Sequence, residues 1–293
     1  MLKISSKRLE IEIPHPGEAP NNTYRFDRAG YISSILLDGK YSFCVSEPTN
    51  LVHPSSGGQG LCNEFKFDIA CDEVVSGERF PKFGIGLFLK PDENPYCFFH
   101  QYDVTPFSID CECKQNTIVF HTQPILCSGY ALKHTKTITV DDNIIKMNVM
   151  LENTGAKEIV MQEYCHNFLT IDNLPLGPDY RIDIPGVSDR GTEVLTGTIK
   201  GDGNGYTFSD YNPKAAMVEV KEDELFDLTP FSWKMSNQKS SAFIEVSEYF
   251  KPAGLAMWAI DHIISLEVFK GIRLQPGQTH EWLRTWLFDT SID

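Results

Sequence analysis

The segment Thr135-Lys136-Thr137-Ile138-Thr139-Val140-Asp141-Asp142-Asn143-Ile144-Ile145-Lys146-Met147-Asn148-Val149-Met150-Leu151 reads as two β-strands and the turn between them. Ile145, Met147, Val149 and Leu151 alternate with Lys146, Asn148 and Met150. A period of two puts successive side chains on opposite faces of a strand. Residues 135–140 form the preceding strand, and Asp141-Asp142-Asn143 supplies the short polar residues that a hairpin turn favours.

The same period recurs in both directions from this hairpin. Leu9, Ile11 and Ile13 alternate with Arg8, Glu10 and Glu12. Beyond the turn Asn153-Thr154-Gly155 a long strand covers residues 157–169, and three more cover 255–260, 263–269 and 282–288. Pro276-Gly277 marks the turn before the last of them. With 17 Pro and 21 Gly spread along the chain, few windows are long enough for a helix. Short helical turns are expected only at 223–226 and 247–250, and a Gly-, Asp- and Asn-rich surface loop at 201–215. Many short-spaced strands predict an all-β antiparallel sandwich rather than alternating strand and helix. No repeat, low-complexity run or linker interrupts the 293 residues, so a single domain spanning 1–293 is expected.

Bulk properties exclude some partners. The net charge is −14, from 26 basic and 40 acidic side chains, which repels a phosphate backbone or an anionic bilayer and leaves a neutral small molecule unaffected. No stretch approaches the roughly 20 apolar residues that span a membrane. Residues 1–14 carry scattered charges and no apolar core of a signal peptide, so a cytoplasmic protein is expected and the sequon Asn21-Asn22-Thr23 carries no meaning. For the same reason the eight cysteines are expected as reduced, mostly buried thiols. Cys111-x-Cys113 is one residue short of a Cys-x-x-Cys pair. Neither His-x-His nor His-x-x-x-His occurs, so no metal site is expected.

Three segments stand out from generic strand. Gly57-Gly58-Gln59-Gly60-Leu61-Cys62-Asn63-Glu64-Phe65 places glycines before two polar residues at a strand edge; it reads either as a turn or as a binding element. In Gln162-Glu163-Tyr164-Cys165-His166-Asn167-Phe168-Leu169-Thr170-Ile171-Asp172, alternation puts Gln162, Tyr164, His166 and Phe168 on one face and Glu163, Cys165 and Asn167 on the other. Aromatic rings beside a His are how a sugar site is built, with the apolar sugar face on the ring and hydroxyls on polar groups; a His satisfied inside the core gives the same pattern. In Ile263-Ile264-Ser265-Leu266-Glu267-Val268-Phe269, Glu267 shares a face with Ile263 and Ser265. A carboxylate there is costly unless paired, so Glu267 is either a structural acceptor or edge-strand charge, or a functional group.

In this order the three segments resemble the galactose mutarotase-like superfamily, the aldose 1-epimerases. Tyr164-Cys165-His166-Asn167-Phe168-Leu169 resembles that family's catalytic-histidine strand. Glu267 followed by Leu274-Gln275-Pro276-Gly277 and Trp282 resembles its catalytic-base strand and closing hairpin. Phe26-Asp27-Arg28-Ala29-Gly30 and Phe80-Pro81-Lys82-Phe83-Gly84-Ile85-Gly86 fit its N-terminal half. The resemblance implies a large twisted antiparallel β-sandwich, or supersandwich, that interconverts the α and β anomers of an aldose with no cofactor. It implies that His166 protonates the ring oxygen as general acid and that Glu267 deprotonates the C1 hydroxyl as general base. One departure is plain: where the family has a second histidine before glycine, this chain has Lys82, a fixed cation, expected at the pocket rim. Glu64, Asn63, Tyr164, Asn167, Asp172 and His100 complete the expected sugar-binding set, with Tyr102 beside them.

Two functions of different kinds follow: a sugar mutarotase, or a non-catalytic carbohydrate-binding protein on the same fold. A glycosidase needs two carboxylates at a set separation, and only Glu267 stands out.

Overall fold

The computed structural model describes residues 1–20, 23–48, 57–185, 193–211, 215–220 and 229–291. These build four antiparallel sheets, of ten, six, four and three strands. The only α-helix among the described residues is the four-residue Ile69–Asp72, and no helix there is long and apolar enough to cross a membrane.

The 135–151 segment forms the hairpin Leu132–Asp141 and Ile144–Asn153, in which Asp141 pairs with Ile144 and Asp142 takes a φ of 50°. Ile145, Met147, Val149 and Leu151 are all buried, as the alternation requires. The hairpin lies inside the ten-stranded sheet, between Thr117–Thr122 and the final strand Thr279–Thr290. The six-stranded sheet runs Glu193–Thr196, Ala216–Val220, Pro252–Ile260, Ile263–Leu274, Ile159–Asn167 and Leu61–Lys66. It places the His166 strand between the strands of the other two singled-out segments.

The two larger sheets face each other through apolar side chains and one polar seam. Each fully buried Leu, Ile, Val or Phe contributes about 1.5–3 kcal/mol on leaving water. Among them runs a chain of buried ionic groups. Arg284, on the ten-stranded sheet, lies 2.8 Å from Glu163 and 2.7 Å from Glu248. Asn63 donates to Glu163 at 2.7 Å and accepts from Lys136 at 2.9 Å, and Lys136 also pairs with Asp27. Trp286 Nε1 donates to Asn167 Oδ1 at 3.2 Å. A charge left alone at this depth would cost several kcal/mol, so every member of the seam holds a partner.

Several sequence expectations are corrected. Residues 247–250 do not form a helical turn. Ala242–Glu248 is a strand, with Ser247 paired to Thr285 and Glu248 to Arg284, and the ladder and the buried ion pair override the local signal. The stretch from 201 is not simply a loop: Ile199–Gly201 pairs with Gly205–Phe208, and Tyr206 and Phe208 are buried. The turn expected at 223–226 lies outside the described residues. All eight thiols are free, but only Cys62, Cys71 and Cys165 are buried, while Cys97 and Cys113 are exposed.

Gly60 shows why the first segment is rich in glycine. Its φ is +59°, and a Cβ there would sit 1.9 Å from the Ile32 carbonyl oxygen. Its carbonyl accepts from Phe168 N–H at 2.8 Å, next to His166. Gly60→Ala is expected to lose about 2–4 kcal/mol of stability in urea unfolding, from backbone strain plus overpacking. Gly39→Ala, at φ +67° with nothing within 4 Å of the added carbon, is the control and should lose about 1 kcal/mol.

Candidate active site

The outer face of the six-stranded sheet carries the site. The His166 and Glu267 strands are antiparallel neighbours, with Glu163 opposite Lys270 and a bridge from Leu169 to Ile264. Both pairings share one register, and that register sets His166 directly opposite Glu267. Opposed side chains on one face of a sheet lie about 4.5–5.5 Å apart at Cβ and can touch. His166 Nε2 lies 3.1 Å from Glu267 Oε1. On the next strand Trp258 lies opposite Ser265, and Met217 lies opposite Trp258.

His166 is held from all sides. Its ring stacks on Phe168 at 3.9 Å and 8°, and the edges of Phe26 and Trp258 meet it at 5.5 and 5.8 Å. Nδ1 lies 2.9 Å from Ser265 Oγ, and that oxygen accepts the Asn167 N–H at 3.2 Å. Ser265 Oγ can therefore accept the Nδ1 proton of His166 while its own hydroxyl proton points at Glu267 Oε1, 3.4 Å away, which leaves Nε2 as the nitrogen that can give up a proton and become neutral imidazole.

Beside the pair stands a guanidinium. Arg25 donates through Nε to Glu64 and through Nη2 to the Tyr164 hydroxyl, each at 2.5 Å, and lies 4.5 Å over the Phe98 ring. Tyr164 also donates to Glu64, and Lys82 donates to Glu64 at 3.1 Å. Arg25, Glu47, Phe98, Phe99, Met217 and Trp258 enclose, with His166 and Glu267, a cavity of about 280 Å³. Among the described residues no three His, Cys, Asp or Glu side chains converge as metal ligands.

The electrostatics follow from this burial. Desolvation raises Glu267 to about 7, with Arg25 pulling the other way. Burial, reinforced by the positive charge of Arg25, pushes His166 well below the ordinary imidazole range. Burial alone would raise Glu64 too, but Arg25 and Lys82 overrule it and hold Glu64 at about 2. Glu64 is thus a fixed anion that anchors two cations, while the His166–Glu267 pair titrates.

The structure divides the expected site residues. His166 and Glu267 meet in the cavity. Glu64 and Tyr164 stand behind Arg25 rather than in the lining. Lys82 is not at the rim: it is 1% exposed, and its ammonium is consumed by Glu64 and by the Phe65 carbonyl at 2.9 Å. Asn63 and Asn167 face the other way, into the polar seam, because each sits one residue from a side chain of the site face. Asp172 belongs to a turn, where its carboxylate accepts the Ser42 N–H at 2.8 Å. His100 is exposed and lines a separate depression with Tyr102. Sequence reasoning missed Arg25, one residue before the Phe26-Asp27 motif. It also missed Trp258, although the short turn Asp261-His262 between two recognised strands was enough to pair Trp258 with Ser265.

The protein is all-β, and its likeness to solved structures shows that its fold is galactose mutarotase-like. Among solved structures, a galactose mutarotase-like protein from Lactobacillus casei is 10% identical with a TM-score of 0.61, covering 99% of this chain and 100% of that one. A galactose mutarotase related enzyme from Lactobacillus acidophilus is 11% identical with a TM-score of 0.58, covering 100% and 98%. A galactose 1-epimerase from the same organism is 13% identical with a TM-score of 0.56, covering 99% and 94%. No protein-family model and no curated protein matches the sequence.

Proposed function

We propose that this protein interconverts the α and β anomers of an aldose, with His166 and Glu267 as the acid–base pair. The observation that carries this reading is the 3.1 Å approach of His166 Nε2 to Glu267 Oε1 in a cavity walled by Trp258. In a cyclic aldose the ring oxygen and the anomeric hydroxyl are bonded to the same carbon. An acid for one and a base for the other must therefore converge on one place. Trp258 offers a flat apolar face to the sugar ring, and Arg25 offers donors to hydroxyls. The epimerase and mutarotase names of the structural neighbours agree with this chemistry.

The cycle needs one proton on the pair. His166 gives its Nε2 proton to the ring oxygen while Glu267 takes the proton of the C1 hydroxyl. The C1–O bond of the ring breaks and a C1 carbonyl forms. The pair is then neutral imidazole and protonated carboxyl, the uncharged state that burial favours. Rotation about C1–C2 presents the other carbonyl face. Glu267 returns its proton to the carbonyl oxygen as the ring oxygen attacks C1, and His166 recovers its own. Acid and base contributions of this kind are each worth about 10²–10⁴-fold.

The pH dependence follows in sign. A rise through about 7 strips the proton from the pair, since Glu267 sits there, and the rate falls. A second proton loads the imidazole only well below its usual range, so the acid limb lies far to the low side. Exchange rates by NMR across pH, corrected for spontaneous mutarotation, should decline above neutrality; a corrected rate still climbing at about pH 9 contradicts this proton inventory. The identity test is anomer exchange over a panel of neutral and acidic sugars. Binding without acceleration would make the protein a carbohydrate binder.

A further inference from the structure

The cavity at His166 and Glu267 does not end at a closed wall. Phe99 lines it on one side and lines a second depression, of about 370 Å³, on the other. Phe99 is 41% exposed, a large apolar ring standing between two hollows. The second hollow has its own polar and apolar groups: Pro91, Asp92, Asn94, His100 and Tyr102. The segment that carries them is anchored. Cys97 N–H donates to the Tyr102 hydroxyl at 2.9 Å, His100 N–H donates to the Cys97 carbonyl at 3.0 Å, and the His100 and Tyr102 rings meet at 4.9 Å. The Asp92 carboxylate is oriented by the Asn94 N–H at 2.9 Å.

An apolar platform with a few oriented polar groups is what a pyranose ring takes. The first cavity admits the sugar whose C1 reacts. A unit glycosidically linked to that sugar, away from C1, leaves the first cavity across Phe99 and enters the second.

We propose that the 91–102 depression is a second sugar subsite, so that the substrate class is a reducing disaccharide or longer oligosaccharide with its reducing end at His166 and Glu267. This rests on the anomer-exchange reading for the first site, while the subsite itself is a binding claim. Asp92 and His100 take hydroxyls of the second sugar, and Phe99 supports the bridge between the two units.

The test compares glucose and galactose with reducing disaccharides that end in each, in anomer exchange by NMR and in binding by calorimetry. Disaccharides should exceed their monosaccharides in kcat/KM by roughly tenfold, the order contributed by one buried contact. His100→Ala and Asp92→Ala, which leave the first cavity untouched, should remove most of that advantage and change monosaccharide exchange by less than about twofold. Monosaccharides favoured over disaccharides, or variants that affect both alike, would overturn the subsite while leaving the anomer-exchange reading intact. Disaccharide binding that His100→Ala weakens, with no anomer exchange of any sugar, would support the subsite and sink the catalytic reading.

Discussion

Glu267→Gln is expected to cut the rate of anomer exchange by roughly 10²–10⁴-fold and to leave sugar affinity within about threefold. The amide keeps the shape of the side chain and can still contact His166 Nε2 and Ser265 Oγ, which the carboxylate meets at 3.1 and 3.4 Å. What it loses is the capacity to accept and return a proton. His166→Asn should cost a similar factor by removing the partner. The double variant should be little worse than either single one, because the two residues work as one unit and neither transfers a proton usefully alone. The measurement is saturation-transfer NMR on the substrate anomers beside calorimetric binding. A Glu267→Gln protein that retains wild-type exchange would remove Glu267 from the mechanism. The 3.1 Å contact would then be an ion pair of the fold.

The second large effect concerns stability. Arg284 is fully buried between Glu163 and Glu248, at 2.8 and 2.7 Å. Arg284→Met keeps most of the volume but strands two carboxylates between the sheets. Stability should fall by about 3–5 kcal/mol, the usual cost of removing one partner of a buried pair. Even with the guanidinium in place, burial raises Glu248 to about 7. A carboxyl raised in the folded state costs nothing below its unfolded value, near 4.3 for Glu, and its cost grows as pH rises through the gap. The deficit of the variant should therefore be largest near pH 8 and shrink toward about pH 4. Adding Glu163→Gln and Glu248→Gln should return part of the loss, because neither amide carries a charge to desolvate. Urea unfolding at both pH values tests this. A deficit under about 1 kcal/mol at pH 8 would show that the seam carries little of the stability.

Much of this protein was legible in the chain itself. Alternation is a local property: the L-residue pleat sends neighbours to opposite faces whatever the sheet becomes. It was therefore enough to predict an all-β protein, to place the 135–151 hairpin, and to separate the face of Tyr164 and His166 from that of Glu163, Cys165 and Asn167. The same rule, applied consistently, puts Asn63 opposite to Glu64 and out of the cavity. The 247–250 turn failed for a different reason: the Glu248–Arg284 pair that holds it extended is formed by residues far apart in sequence.

Tertiary structure alone decided the chemistry of the site. His166 and Glu267 are separated by about a hundred residues, and no local signal sets the register that opposes them; the pairing depends on how two whole strands slide against each other. Lys82 and Arg25 show the same limit from the other side. Both are basic residues near a recognisable motif. Lys82 is locked beneath Glu64 while Arg25, supplied by the segment after Thr23, reaches the cavity. Burial then set the titration, raising Glu267 and lowering His166. Desolvation is the sum of everything packed around a group, and it exists only once the sheets have closed on one another.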